Sequence, residues 1–238
     1  MQRFKRVATR DEAEPDAPRR PYQRHLMLLH TAQETLLLLL LGVSSNVFAY
    51  GMDKSIELLV ATRARAAQEA GGFLSSYLIW SGSALMLCAL SAACVQHIST
   101  AAVGSGIPQM KCVLAGGARI DDYLSARTLA AKVLSLVLAI GGGLAVGKEG
   151  PYVHISTCVA QQLCRLPLFR RLNETESLRR QMLAAGCAAG VAATFGAPVG
   201  GVLFSIEVTA TLLCNSVAHL WRAFILSRTP SLTLSLTR

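Results

Sequence analysis

Charge is what this 238-residue sequence has least of: 16% of its residues are Asp, Glu, Lys or Arg against 52% hydrophobic, and its mean hydropathy is +0.42. An average soluble domain carries about a quarter charged residues. So little charge places the chain in a lipid bilayer. The charge present is unbalanced, 23 Lys and Arg against 14 Asp and Glu for a net +9. It gathers in flanks such as Arg3 to Arg24 and Arg165 to Arg180, which reads as cytosolic loops and not as the folded basic face that binds nucleic acid. No CxxC pair occurs among the seven cysteines, Cys88, Cys94, Cys112, Cys158, Cys164, Cys187 and Cys214. Neither a disulfide framework nor a metal site is therefore expected; in apolar runs such residues are small packing groups. His97 and His154 likewise read as packing or interface residues. No HExxH and no nucleophile with a nearby base is present, so neither an enzyme nor a cofactor is expected. More than twenty polar residues precede the first apolar run, unlike a cleaved signal peptide, and predict a cytosolic N-terminus.

Along the chain, residues 1–25 carry Arg, Pro, Asp and Glu without an apolar period, as a disordered cytosolic tail does. Leu26 to Val60 is largely apolar and predicts one long tilted helix with a polar side. A polar turn containing Arg63, Arg65 and Gly71-Gly72 is expected next. Phe73 to Val95 then holds 23 residues without a single charge, the clearest membrane span in the sequence. Beyond it the apolar runs become short or broken. Val133 to Gly147 has 15 residues between Lys132 and Lys148, fewer than the roughly 20 a helix needs to cross hydrocarbon. Met182 to Ile206 is long enough, but Gly196-Ala197-Pro198 interrupts it, which predicts two part-length helices meeting inside the protein.

Three places share one pattern, small residues followed by Pro and an apolar helical run: Gly104-Ser105-Gly106-Ile107-Pro108, Gly147-Lys148-Glu149-Gly150-Pro151 and Gly196-Ala197-Pro198. Proline in a first turn starts a helix without losing a bond. Glycine before it allows close approach, and the first amides of each helix lack internal partners. Such ends favour an anion, and interrupted membrane helices use them to hold substrate. Any one break could instead serve only packing and kinking. Ser105 adds a hydroxyl donor, while Lys148 and Glu149 put ionisable groups inside an apolar region, where they are costly enough to suggest function. A carboxylate at Glu149 would occupy the place of an anion when ionised and release it when protonated or swung away. Its plainer role is to complement the helix dipole.

These residues resemble the CLC family of chloride channels and chloride/proton exchangers. GSGIP (Gly104 to Pro108), GKEGP (Gly147 to Pro151) and FGAPVGGVLFSIEV (Phe195 to Val208) are similar to three of its signature stretches, in order and spacing, and the likeness runs from about Leu26 to Phe224. The resemblance implies an all-α integral membrane protein with broken and tilted helices, the first half of an inverted repeat. It implies that the Ser105 hydroxyl holds a central chloride with the Gly104 and Ser105 amides near an inner site, that Gly106 and Ile107 also bind chloride, and that the amides of Lys148, Glu149 and Gly150 line an outer chloride site. Glu149 would be the gating glutamate. Serine at 105, where some relatives have proline, is the version associated with chloride over nitrate. Glu207 matches the glutamate closing the next helix, and Val208 stands where exchangers usually carry a second, proton-passing glutamate, which favours a channel.

The later GxFxP helix start and the late tyrosine of the family's anion path do not occur here. Residues 26–224 are thus expected to form the N-terminal half of a CLC-like transmembrane domain. Residues 225–238 are expected to be a divergent, disordered tail, from a truncation, a splice variant or a gene-model error. The function expected is a gated chloride channel subunit. The alternatives are a chloride/proton antiporter and, from another class, a non-conducting partner of full-length subunits. Chloride and the bilayer are the expected partners, with a homodimer in the complete form, whose interface includes the Gly200-Gly201 helix, and no nucleic acid. A multi-pass location in the plasma membrane is expected ahead of intracellular membranes. Arg165, Arg170, Arg171, Arg179 and Arg180 place their loop in the cytosol, so the sequon at Asn173 would go unused.

Overall fold

The computed structural model describes residues 21–117, 120–169 and 175–209, and every regular element among them is helical. The expectations for residues 1–20, Arg170, Arg171, Asn173, Cys214 and the 225–238 tail lie outside the described residues. The chain divides into two units, 1–34 and 35–238. Of the first, the described part is the beginning of helix α1; everything below concerns the second.

Among the described residues eight α-helices follow one another: α1 (Pro21–Glu69), α2 (Phe73–Ile98), α3 (Ile107–Leu114), α4 (Ile120–Tyr123), α5 (Ala126–Gly141), α6 (Glu149–Cys164), α7 (Glu176–Phe195) and α8 (Pro198–Thr209). Helix α1 continues through Arg63 and Arg65, which corrects the expected turn at those residues: the break is confined to the short stretch around Gly71, whose φ of +67° suits glycine. Arginine is a good helix former, and Arg63 finds partners inside the fold. Helix α2 has no buried residue, and Phe73 at its start is 91% exposed. Such an all-round apolar surface belongs in lipid. By length and composition, Ala32–Glu69, Phe73–Ile98 and Ile120–Gly141 can each cross a membrane.

The core sits where α6 and α7 pack together. Met182, Leu183, Cys187 and Ala189 from α7 meet Val153, Cys158, Val159 and Ala160 from α6, with Leu37, Leu38 and Leu41 of α1 and Met110, Val113 and Leu114 of α3 on the flanks. The backbones touch because Gly186 and Gly190 stand one turn apart on α7, a small-xxx-small pair of the kind that brings membrane helices close. A Cβ on Gly186 would lie 3.0 Å from the Ala160 Cβ and the Thr157 Cα. Ser156 Oγ donates to the Gly186 carbonyl at 2.7 Å, and Thr157 Oγ1 lies 3.2 Å from Cys187 Sγ. Three of the cysteines, Cys158, Cys164 and Cys187, are thus buried packing residues.

The interruption at Gly196 is as expected. Gly196 takes φ +60° at the end of α7, Pro198 opens α8, and α8 folds back on α7 with Gly201 against the Ala188 carbonyl. The end of α5 is a Schellman turn: Leu144 N–H bonds the Ala139 carbonyl, Gly143 N–H bonds that of Ile140, and Gly143 takes φ +90°. After it the chain runs without helix to Gly147.

Candidate functional site

Helix α3 starts after Gly106, whose φ is +87°, with Pro108 in its first turn, and Met110 N–H makes the first bond, to the Gly106 carbonyl at 2.9 Å. Helix α6 starts after Lys148 with Glu149, Gly150 and Pro151, and Tyr152 N–H bonds the Lys148 carbonyl at 3.0 Å. In both, the amides ahead of that first bond have no partner within their helix. The two starts meet. A Cβ on Gly150 would lie 2.9 Å from the Ser105 Cβ, and a Cβ on Gly106 would lie 2.5 Å from the His154 Cβ. Glycine at 106 and 150 is therefore required by contact between the two motifs, and at 106 by backbone conformation as well.

Two lysines hold the arrangement, and only one of them lies inside a motif. Lys132 on α5, 3% exposed, donates from Nζ to the carbonyls of Gly104 at 2.8 Å and Ala102 at 3.1 Å. Because a trans peptide points its C=O and N–H in opposite directions, this bond turns the Ser105 amide away from Lys132. A buried lysine beside the motif also adds positive charge where the surroundings screen little. In sequence it reads as the boundary of an apolar run; a lone lysine within such a run was the available signal. Lys148 pairs with Asp53 of α1, Nζ to Oδ1 at 2.7 Å and to Oδ2 at 2.9 Å, with both side chains partly exposed.

The Glu149 carboxylate folds back over the chain before its helix, with Oε2 2.5 Å from where a Cβ on Gly147 would stand. It thus lies at the mouth of the α6 start. The Tyr152 hydroxyl donates to the Ser45 carbonyl of α1, and His154 Nε2 lies 3.0 Å from the Tyr123 carbonyl. His154 is a buried packing residue that backs the α3 start. A cleft of about 600 Å³ opens beside the pair of starts, lined among others by Ser105, Lys132, Gly147 and Pro151. Its walls are mainly apolar, and Ser91, Gln96 and Ser135 line it together with Ser105 and Lys132.

The third motif stands apart from this pair. The helix opened by Pro198 packs on α7 and α3, and Glu207, near its end, is exposed. Val208 follows within α8. Of the residues expected to act, Gly104, Ser105, Gly106, Ile107, Lys148, Glu149, Gly150, Pro108 and Pro151 belong to the two facing starts. Glu207 and Val208 do not.

Comparison with known proteins gives a consistent result. Residues 87–237 match the family model described as voltage gated chloride channel. "Chloride channel protein clh-3" of Caenorhabditis elegans is 44% identical over 196 residues, which is 81% of this chain and 19% of that protein. Among solved structures, a crystal structure of a eukaryotic CLC transporter superposes with a TM-score of 0.81 at 38% identity, covering 88% of this chain and 39% of the other. A slow cyanobacterial Cl⁻/H⁺ antiporter, at 23% identity, shares the fold with a TM-score of 0.71, over 87% of this chain and 47% of the other. The chain spans about a fifth of the length of the curated relatives it matches. With its helical fold and its two facing helix starts, it belongs to the voltage-gated chloride channel family, the CLC proteins.

Proposed function

We propose that this chain serves in chloride transport across a membrane as part of a gated channel, with the anion held between the starts of α3 and α6 and gated by Glu149. The observation that carries the reading is the approach of Gly150 to Ser105. It puts one hydroxyl and two sets of free amides around one small volume. Two helix dipoles converge there with like ends, an arrangement unfavourable by itself and relieved by an anion. The nematode relative, a chloride channel protein, supports chloride as the ion.

Glu149 supplies the gate. Its carboxylate is negative and sits at the entrance to the same amides, so it competes with chloride while ionised. Protonation removes that competition. Val208, in place of the glutamate usual in exchangers, favours a channel over a coupled antiporter. For orientation, Arg165 and Arg179 both reach Asp121, at 2.6 and 3.4 Å. With Arg180 beside them this is the basic end of the fold, which the positive-inside rule assigns to the cytosol. Glu149, at the opposite end of α6, then faces outward.

The test is chloride flux from liposomes holding the native protein, followed as external pH is varied. Native flux rises as pH falls, because the protonated carboxyl no longer competes. Glu149→Gln gives flux that is already high and no longer depends on pH. An undiminished pH dependence in Glu149→Gln would remove Glu149 as the gate.

A further inference from the structure

Arg63 is 6% exposed near the end of α1. Its guanidinium donates through Nη1 to the Gly141 carbonyl at 2.6 Å, through Nη2 to the Trp80 carbonyl at 3.1 Å and through Nε to Ser83 Oγ at 3.0 Å. The Trp80 ring covers it at 4.4 Å. Among the described residues, then, this buried cation faces carbonyls, a hydroxyl and an aromatic ring instead of a carboxylate. A desolvated charge held this way needs a compensating field, and the C-terminal end of a helix provides one.

Which helix end it occupies gives the arrangement its meaning. The Schellman turn uses the carbonyls of Ala139 and Ile140, and Arg63 takes that of Gly141. A Cβ on Gly141 would lie 2.8 Å from Leu59 Cδ1, and one on Gly143 would lie 3.6 Å from Arg63 Nη1, so α1 presses directly on this turn. From here the non-helical Gly142–Gly147 segment leads straight to Lys148 and Glu149. The far end of that segment is tied to the same helix by the Lys148 to Asp53 pair.

We propose that Arg63 is a positioning residue for the gate: by capping α5 at Gly141 it fixes the segment that carries Glu149, and so sets how firmly the carboxylate covers the α6 start. The inference rests on the reading of Glu149 given above. Lysine cannot replace Arg63, because only the planar fork reaches three acceptors on two helices while stacking on Trp80.

The experiment compares native protein with Arg63→Lys, Arg63→Gln and the milder Ser83→Ala, each in native and Glu149→Gln backgrounds. It reads amide hydrogen exchange and the voltage at half-maximal chloride current. The expected result is exchange over Gly142–Gly147 faster by about ten-fold, from loss of a local restraint, with α6 and α7 unchanged, and a shifted voltage midpoint that disappears in the Glu149→Gln background. Ser83→Ala gives the smaller shift in the same direction, since it removes one of the three Arg63 bonds and the Ser83 hydroxyl's own bond to the Trp80 carbonyl, so it reports even if the arginine variants fail to fold. Exchange that stays slow over Gly142–Gly147, exchange that rises throughout the molecule, or a midpoint shift of equal size without Glu149 would each overturn the proposal. If Glu149→Gln alone leaves gating intact while exchange still rises only over that segment, the gate assignment fails, and with it the link to gating, whereas the anchoring of the segment by Arg63 stands.

Discussion

Gly150 has no side chain because Ser105 stands where one would go, and that vacancy is the most specific feature of the site. The Ser105 hydroxyl and the free amides of both helix starts can address one ion only while the backbones remain this close. Gly150→Ala would place a Cβ 2.9 Å from the Ser105 Cβ, and since both atoms belong to short, stiff groups, the two starts must separate. Losing one charge-assisted hydrogen bond costs about 1.5–3 kcal/mol. The half-saturating chloride concentration for flux should therefore rise by roughly ten-fold or more. A value unchanged from native would mean that the approach of the motifs serves packing alone. That the stretches carrying Ser105, Lys148 and Glu149 form helix starts was legible in sequence from their Gly and Pro, and the ionisable groups beside them mark candidates because they are costly in an apolar run. Lys132 carried only the mark of a lone lysine in an apolar run, and Arg63 none; the role of neither was legible. Their partners are backbone carbonyls 28 and 78 residues away, and a carbonyl leaves no mark on a sequence.

At the level of helices, the starts of α3, α6 and α8 follow from local chemistry, since each has proline in its first turn, and a glycine with positive φ stands ahead of it at α3 and α8. The Arg63 and Arg65 stretch departs from the expected turn for the complementary reason: Arg63 looks like a loop residue until tertiary partners bury it, while Arg65 stays exposed on the same helix, where arginine is a good helix former. The pairing of α6 with α7 depends on glycines whose role emerges only in the fold. Gly190→Ala would drive a Cβ into Ser156 Oγ and to 3.0 Å from the Val153 Cα. Overpacking of this kind costs typically about 1–3 kcal/mol. The thermal midpoint of the detergent-solubilised protein should fall by several degrees, a size typical of such a loss in a protein of this length. Gly51→Ala provides the contrast. Nothing lies within 4 Å of its Cβ position, and alanine is the better helix former by up to about 1 kcal/mol, so its midpoint should hold or rise. Equal losses in both variants would refute the close-packed α6 and α7 interface.

For the molecule as a whole, the described helices present apolar side chains on their outer faces and polar groups where two of those helices begin. A bilayer accounts for the first, since Phe73, Leu85 and Met86 of α2 stand largely exposed and gain by contact with lipid. In the proposed reading an anion between the two starts accounts for the second, since the amides that open α3 and α6 would otherwise face each other with like partial charges. The composition already announced the membrane, and the Gly/Pro motifs announced the broken helices. What sequence could not show was that two motifs more than forty residues apart close on one point while the third opens a helix packed on α7 and α3. Bromide diffraction puts that convergence to the most direct test, because bromide follows chloride chemistry and scatters anomalously. Crystals of the native protein soaked in bromide should show an anomalous peak within hydrogen-bonding distance of Ser105 Oγ or of the amides that open α6. A map with bromide elsewhere and none between these two helix starts would contradict the account.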